Sequence, residues 1–198
     1  MPRIAPAVRN ERRQHLVDAT WRCAARRGFQ SFTVDDVCAE AGVSKGSFYV
    51  YFDQKQDLLF ALLEDDAAAV DVIMEDLRLA DIGGVERLRR FVRAMLERGE
   101  DAARLQVRAD LWAEMSAAPS LRERFAAVVR RRRLVLRSWI EESIGSGELE
   151  EIPANALAAI LLALGDGLML HAGLDATGFR WVNVRRAVDA LLEGVVAT

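Results

Sequence analysis

Residues 33–55 read TVDDVCAEAGVSKGSFYVYFDQK, and this stretch decides the fold. Thr33 has the side chain of a helix N-cap, and Asp36 stands three residues on, where its carboxylate returns the bond in a capping box. Val34, Val37, Cys38 and Ala41 follow at i, i+3, i+4 and i+7, which is one face of a helix. Gly42 then ends that helix, because the left-handed conformation of a C-cap suits a residue without Cβ. Ser44 caps a second short helix, and Val43 between the two points into the core. The second helix turns Phe48 and Phe52 inward and leaves Lys45, Ser47 and Tyr49 outside. Two short helices joined by a glycine-containing turn form a helix-turn-helix.

The outer side of the second helix, 45–51, has the chemistry of a nucleic-acid reader. Ser44, Gly46 and Ser47 are small enough to let the backbone approach a groove, while Lys45, Tyr49 and Tyr51 offer donors to phosphate oxygens. Asp53 is expected to cap a third helix, with Gln56 at its N3 position. Lys55 then falls in the first turn, where the helix dipole disfavours a cation unless a phosphate binds there. The expected DNA-contacting set is Thr33, Ser44, Lys45, Gly46, Ser47, Tyr49, Tyr51 and Lys55. The competing reading, a plain helical turn with solvated lysines and tyrosines, does not account for capping, apolar spacing and turn glycine all agreeing.

Residues 16–59 resemble the DNA-binding domain of the TetR family of bacterial repressors, through the run AxxxGFxxFTVDDVCAEAGVSKGSFYVYFDQKQDLL. Ala24 stands where that family usually has a larger apolar residue, Asp53 where proline is common and Val50 where histidine is common. The C-terminal half resembles the subgroup with BetI-like ligand-binding domains, in RADLWAEMSAAPSLRERF and GDGLMLHAGL. The resemblance implies an all-α chain: a three-helix DNA-binding domain over 9–55, then a helical ligand-binding and dimerisation domain over 56–198. It also implies a homodimeric repressor of a pseudo-palindromic double-stranded DNA operator, released by a small apolar or amphipathic effector.

Charge supports a division of labour. The chain of 198 residues carries a formal net charge of −3. Residues 1–55 nevertheless hold nine Lys/Arg against six Asp/Glu, and residues 56–198 hold eighteen against twenty-four. A basic head on an acidic body confines the nucleic-acid footprint to one end. Cys23 and Cys38 fall on apolar helix faces and read as buried, reduced thiols, giving neither a disulfide framework nor a metal spacing. Residues 1–15 lack the apolar run of a signal peptide, so a cytoplasmic location is expected.

Residues 1–8, with two prolines, are expected to form an arm before a first helix from about Asn10 to Arg27. The helix that begins at Asp53 keeps its apolar spacing to about Leu79, with no linker between head and body. Helices follow at about 85–98, 103–117, 120–144, 154–174 and 180–196. The stretch 154–174 is long and apolar enough to span a bilayer, but Asn155, Asp166 and His171 interrupt it and no flanking basic asymmetry accompanies it. A helix apolar on nearly every face must be covered on all sides. A dimer interface is therefore expected, made by Leu157, Leu161, Leu168, Val184, Val188, Leu191 and Val195, with no membrane involved.

Catalysis has no support. His15 and His171 lie far apart in the chain, Asp166 and His171 sit on different faces of one helix, and no nucleophile elbow, P-loop or dinucleotide fingerprint occurs. Neither enzyme activity, cofactor nor metal is expected. Phe91, Met95, Trp112, Met115 and Phe125 read first as core, and as candidates for an adaptable apolar pocket. Arg130–Arg133 sweep about 300° of a helix, so at least one guanidinium faces inward or skirts the core, either snorkelling with its head in water or anchoring an anionic effector; Arg132 is the candidate for the anchor. The rival function is an effector-independent DNA-binding or architectural protein whose body only dimerises. A cavity in the body separates the two.

Overall fold

The computed structural model describes residues 6–175 and 178–194, with their side chains apart from those of 115–117. Among the described residues the chain is all-α, in nine helices: α1 Pro6–Arg27, α2 Val34–Ala41, α3 Lys45–Phe48, α4 Gln56–Leu79, α5 Gly84–Arg98, α6 Ala102–Ala117, α7 Pro119–Gly145, α8 Ala154–Leu174 and α9 Trp181–Glu193.

Local chemistry explains most boundaries. The capping box forms at α2: Asp36 N donates to Thr33 Oγ1 at 3.2 Å, and Thr33 N donates to Asp36 Oδ2 at 2.8 Å. Gly42 closes that helix at φ 64°, in the left-handed region. Two helix starts differ from expectation. The first helix begins at Pro6 rather than near Asn10, because proline at the first turn has a preset φ and needs no partner for a missing N–H. Helix α4 begins at Gln56, with Lys55 rather than Asp53 at its N-cap and no side-chain cap; Asp57 Oδ2 accepts from Asp53 N at 3.0 Å and Gln54 N at 3.1 Å. The reading helix is also shorter than 45–51, since residues 49–51 form a turn.

Two apolar clusters make the interior. The first joins Leu16, Phe32, Phe48 and Phe52 of the head to Leu58, Leu59 and Leu62 of α4, then to Val107 and Leu111 of α6 and Leu121 of α7. The second gathers Val70 and Met74 of α4 with Phe91, Leu136, Ile140, Leu161 and Val188. Helix α4 thus serves both, its first half in the head's core and its second half in the body's. Packing changes hands between Leu63 and Val70, later than the chain position 55/56 read from the sequence. Both cysteines are buried free thiols, and burial pushes each thiol's pKa up.

The faces of α8 and α9 also differ from expectation. Leu161 and Val188 are core residues, and Leu157, Leu168 and Val184 pack half-buried against the second cluster. Of the seven residues expected at an interface, Leu191 alone among the described ones is well exposed, at 66%; Val195 lies outside the described residues. The apolar side chains turned outward are Ile160, Leu170 and Leu174 of α8 and Val182 of α9. When nearly every helix face is apolar, spacing does not fix which one meets the core.

Candidate nucleic-acid interface and internal cavity

Helix α3 is held as one rigid turn. Ser44 Oγ accepts from Ser47 N at 3.1 Å, and Phe48 and Phe52 are buried beneath it. Thr33, Ser44, Lys45, Gly46 and Tyr49 are exposed, while Ser47 and Tyr51 are half-buried beside them. Lys45 Nζ lies 2.9 Å from Asp35 Oδ1. Thr33 keeps its hydroxyl within the cap of α2.

Lys55 is a half-buried cation. Its Nζ donates to the Gln30 carbonyl at 3.2 Å and lies 4.9 and 4.6 Å from the ring centroids of Phe29 and Phe32. Burial there pushes its pKa down. The dipole conflict read from the sequence is thus met by ring faces and a carbonyl. Arg12 of α1, one of the arginines that the sequence puts on the outer surface of the first helix, lines a groove between α1 and α3 together with Ser47 and Tyr51. Other α1 arginines are engaged within the head: Arg22 and Arg26 pair with Glu40, and Arg27 with Asp36.

The head is latched to the body at two places. On α4, Asp65 accepts from Trp21 Nε1 at 2.8 Å and Gln14 Nε2 at 2.7 Å. On α6, Asp110 Oδ2 accepts from Phe29 N at 2.6 Å, just after Gly28, whose φ of 76° turns the chain towards it. Gln30 also donates to Glu114 of α6. The α6 latch had no sequence signal, because Asp110 is 81 residues from its partner.

Between α4, α5, α6, α7 and α8 lies a cavity of about 240 Å³. Phe91, Met95, Trp112, Phe125 and Arg132 line it; Met115 falls outside the residues whose side chains are described. Trp112 and Phe125 meet edge to face at 6.1 Å, with Trp112 part-exposed. The lining is mostly apolar but contains a knot of charge that the sequence did not reveal. Asp66 lies 2.6 Å from Arg98 Nη2 and 2.7 Å from Arg108 Nη2. Burial pushes the Asp66 carboxyl up, but Arg108 and Arg98 outweigh it and hold it below the usual range. Of the arginine run, Arg132 reaches the cavity, donating through Nη2 to the Ala67 carbonyl at 3.0 Å. Opposite it, burial pushes the Asp166 carboxyl up to about 6, against the pull of Arg132 and Arg108.

Comparison with known proteins covers both parts. Residues 16–62 match the family model for bacterial regulatory proteins, tetR family, and residues 84–197 match the model for the C-terminal region of BetI-type transcriptional repressors. A transcriptional repressor of Corynebacterium diphtheriae, AcnR, is 25% identical over 196 residues, covering 98% of this chain and 97% of its own length. A putative transcriptional regulator from Saccharomonospora viridis, solved in complex with choline, superposes with a TM-score of 0.83 at 24% identity, covering 96% of this chain and 100% of that one. A TetR transcription regulator from Haloarcula marismortui gives a TM-score of 0.85 at 19% identity, covering 94% and 99%. These two structures share the fold.

Proposed function

Because the chain belongs to the tetR family of bacterial regulatory proteins and is a transcriptional repressor rather than an enzyme, we propose that it represses as a homodimer whose hold on DNA is broken by a small effector in the body cavity. The head, residues 9–55, sets α3 of each subunit into a major groove of a pseudo-palindromic operator in the cytoplasm. Lys45, Tyr49 and Tyr51 position it on phosphates, Ser44, Gly46 and Ser47 let the backbone approach, and Arg12 reinforces the contact from α1. The body dimerises through the outward apolar residues Ile160 of α8 and Val182 and Leu191 of α9. Helix α8 has the length and hydropathy to cross a membrane; its place in a repressor family favours a second subunit as its cover.

The observation that carries the effector reading is the cavity itself. A body that served only to dimerise would have no need for space of about 240 Å³ reached past Trp112. The cavity also touches the right levers. Helix α4 contributes Asp66 and Val70 to its wall and Asp65 to the head latch, while α6 contributes Arg108 and Trp112 to the wall and Asp110 to the other latch. A shift of either helix moves the head, and half-sites about 34–36 Å apart tolerate little change in spacing. Compounds carried through native purification, identified by mass spectrometry, supply the effector for calorimetry with and without saturating operator. Linkage requires the two effector affinities to differ by the factor by which the effector weakens operator binding, typically about 5–150-fold. Equal affinities would end the derepression reading.

A further inference from the structure

The polar part of the cavity has a definite sign and a definite lack of acceptors. Arg108 and Arg132 are nine-tenths and nearly nine-tenths buried, yet the Nε–H of each is shielded from solvent and has no hydrogen-bond partner among the described residues. Arg132 Nε comes no nearer than 3.7 Å to Asp71 Oδ1, beyond hydrogen-bond reach. A guanidinium neither loses its proton nor accepts a bond, so a buried Nε–H can be satisfied only by an acceptor brought to it. Asp66 does not serve as placed: Arg98 and Arg108 reach its Oδ1 through their Nη2 atoms, and neither unpartnered Nε–H bonds to it. Among the described residues Asp166 of α8 accepts no hydrogen bond; the charges facing it are Arg132 of α7, Arg108 of α6 and Asp66 of α4. Three guanidiniums against two carboxylates leave the lining at +1 with Asp166 ionised and +2 with it protonated.

A cationic guest would meet net repulsion and leave both Nε–H groups unsatisfied. A neutral guest could satisfy them but not the charge. We propose that the cavity takes an apolar carboxylate, a hydrocarbon chain ending in one anionic head, whose oxygens accept from Arg108 and Arg132 while Asp166 takes up a proton. This rests on the effector reading and adds the class of effector to it. The chain of such a molecule lies among Phe91, Met95, Leu161 and Met169, and the exposed Trp112 and Leu174 mark the way in. The incoming carboxylate adds a negative charge beside Asp166, so the proton it takes comes from solvent and the site's net charge falls by less than a full unit. Burial has already drawn Asp166 to the edge of that change, with its carboxyl up to about 6.

The experiment uses the full chain with octanoate, octanol and octyltrimethylammonium, which differ in head-group charge on the same hydrocarbon. Binding is followed by calorimetry between about pH 6 and about pH 8, where an aliphatic carboxylate stays ionised. Octanoate should bind about tenfold or more tighter than octanol, the margin of one charge-assisted hydrogen bond, and the ammonium should not bind. Octanoate affinity should rise several-fold as pH falls across that range, and titration in buffers of different ionisation enthalpy should show net proton uptake. Asp166→Asn should abolish both the uptake and the pH dependence. Arg132→Gln should weaken octanoate by about tenfold and leave octanol unchanged, with helical melting curves confirming that each variant folds.

Octanol binding as well as octanoate, a preference for the ammonium, or no binding by any of the three would overturn the carboxylate assignment. The effector reading answers to a different readout. A neutral or cationic ligand that fills the cavity and releases operator DNA would leave that reading standing while this one falls. Octanoate binding with the expected proton uptake and no change in operator affinity would do the reverse.

Discussion

Replacing Asp166 by asparagine should stabilise the protein at neutral pH and leave it unchanged in acid. Burial raises this carboxyl from 3.8 to about 6 in the folded chain. The folded state therefore holds the proton more tightly than the unfolded chain does. The stability this confers is fully present below pH 3.8 and is lost as pH rises through about 6. A difference of about two units corresponds to about 3 kcal/mol at 1.36 kcal/mol per unit. Asparagine resembles the protonated carboxyl in shape and has no charge to bury, so above pH 6 the variant should be more stable by up to about that amount. Urea denaturation of both proteins at equal protein concentration, from about pH 4 to about pH 8, measures the difference directly. Contributions from other carboxylates, Asp66 included, cancel between the two curves. The expected difference is near zero at the acid end and reaches its plateau by about pH 7. A difference that does not vary with pH, or a variant less stable at about pH 8, would show that Arg132 and Arg108 solvate the ionised Asp166 well and that it is not poised to take a proton.

Lys45→Ala should lower the salt dependence of operator binding by about one unit, whereas Lys55→Ala should leave the slope unchanged and lower the melting temperature, because its Nζ is engaged by Gln30, Phe29 and Phe32. A fall in slope for Lys55→Ala equal to that for Lys45→Ala would return Lys55 to the phosphate contacts. Leu191→Arg should give a folded chain that sediments as a monomer, since the side chain is 66% exposed; Val188→Arg, at 4% exposure, should unfold it at a cost of several kcal/mol. If Leu191→Arg remains a dimer of unaltered affinity, the interface lies on another face. Asp110→Ala leaves Phe29 N without its acceptor and should cost about 1–3 kcal/mol in chemical denaturation. The same variant should reduce the factor by which an effector weakens operator binding; an unchanged factor would assign transmission to α4 alone.

The sequence alone determined what short-range chemistry controls. Thr33, Asp36, Gly42 and Ser44 lie within a few residues of their partners, so the capping box, the turn and the reading helix followed from spacing. Helix periodicity likewise placed the body helices to within about three residues, and put Phe91, Met95, Trp112 and Phe125 on inward faces. Tertiary structure decided whatever depends on groups distant in the chain. Lys55 was drawn to the rings of Phe29 and Phe32, and Asp110 to the backbone of Phe29, by contacts no local pattern encodes. The side of α8 that faces the core was equally undetermined, since a helix apolar all round has no preferred face until its neighbours are in place. The charge knot of Asp66, Arg98, Arg108, Arg132 and Asp166 is drawn from five helices. Asp66, Arg98 and Arg108 read singly as ordinary surface charges; Arg132 is marked only by its place in an arginine run and Asp166 only as an interruption of an apolar helix. Burial around one cavity is what makes them a site, because only with water excluded do an unpartnered N–H and a displaced carboxyl pKa carry a cost that a ligand can relieve.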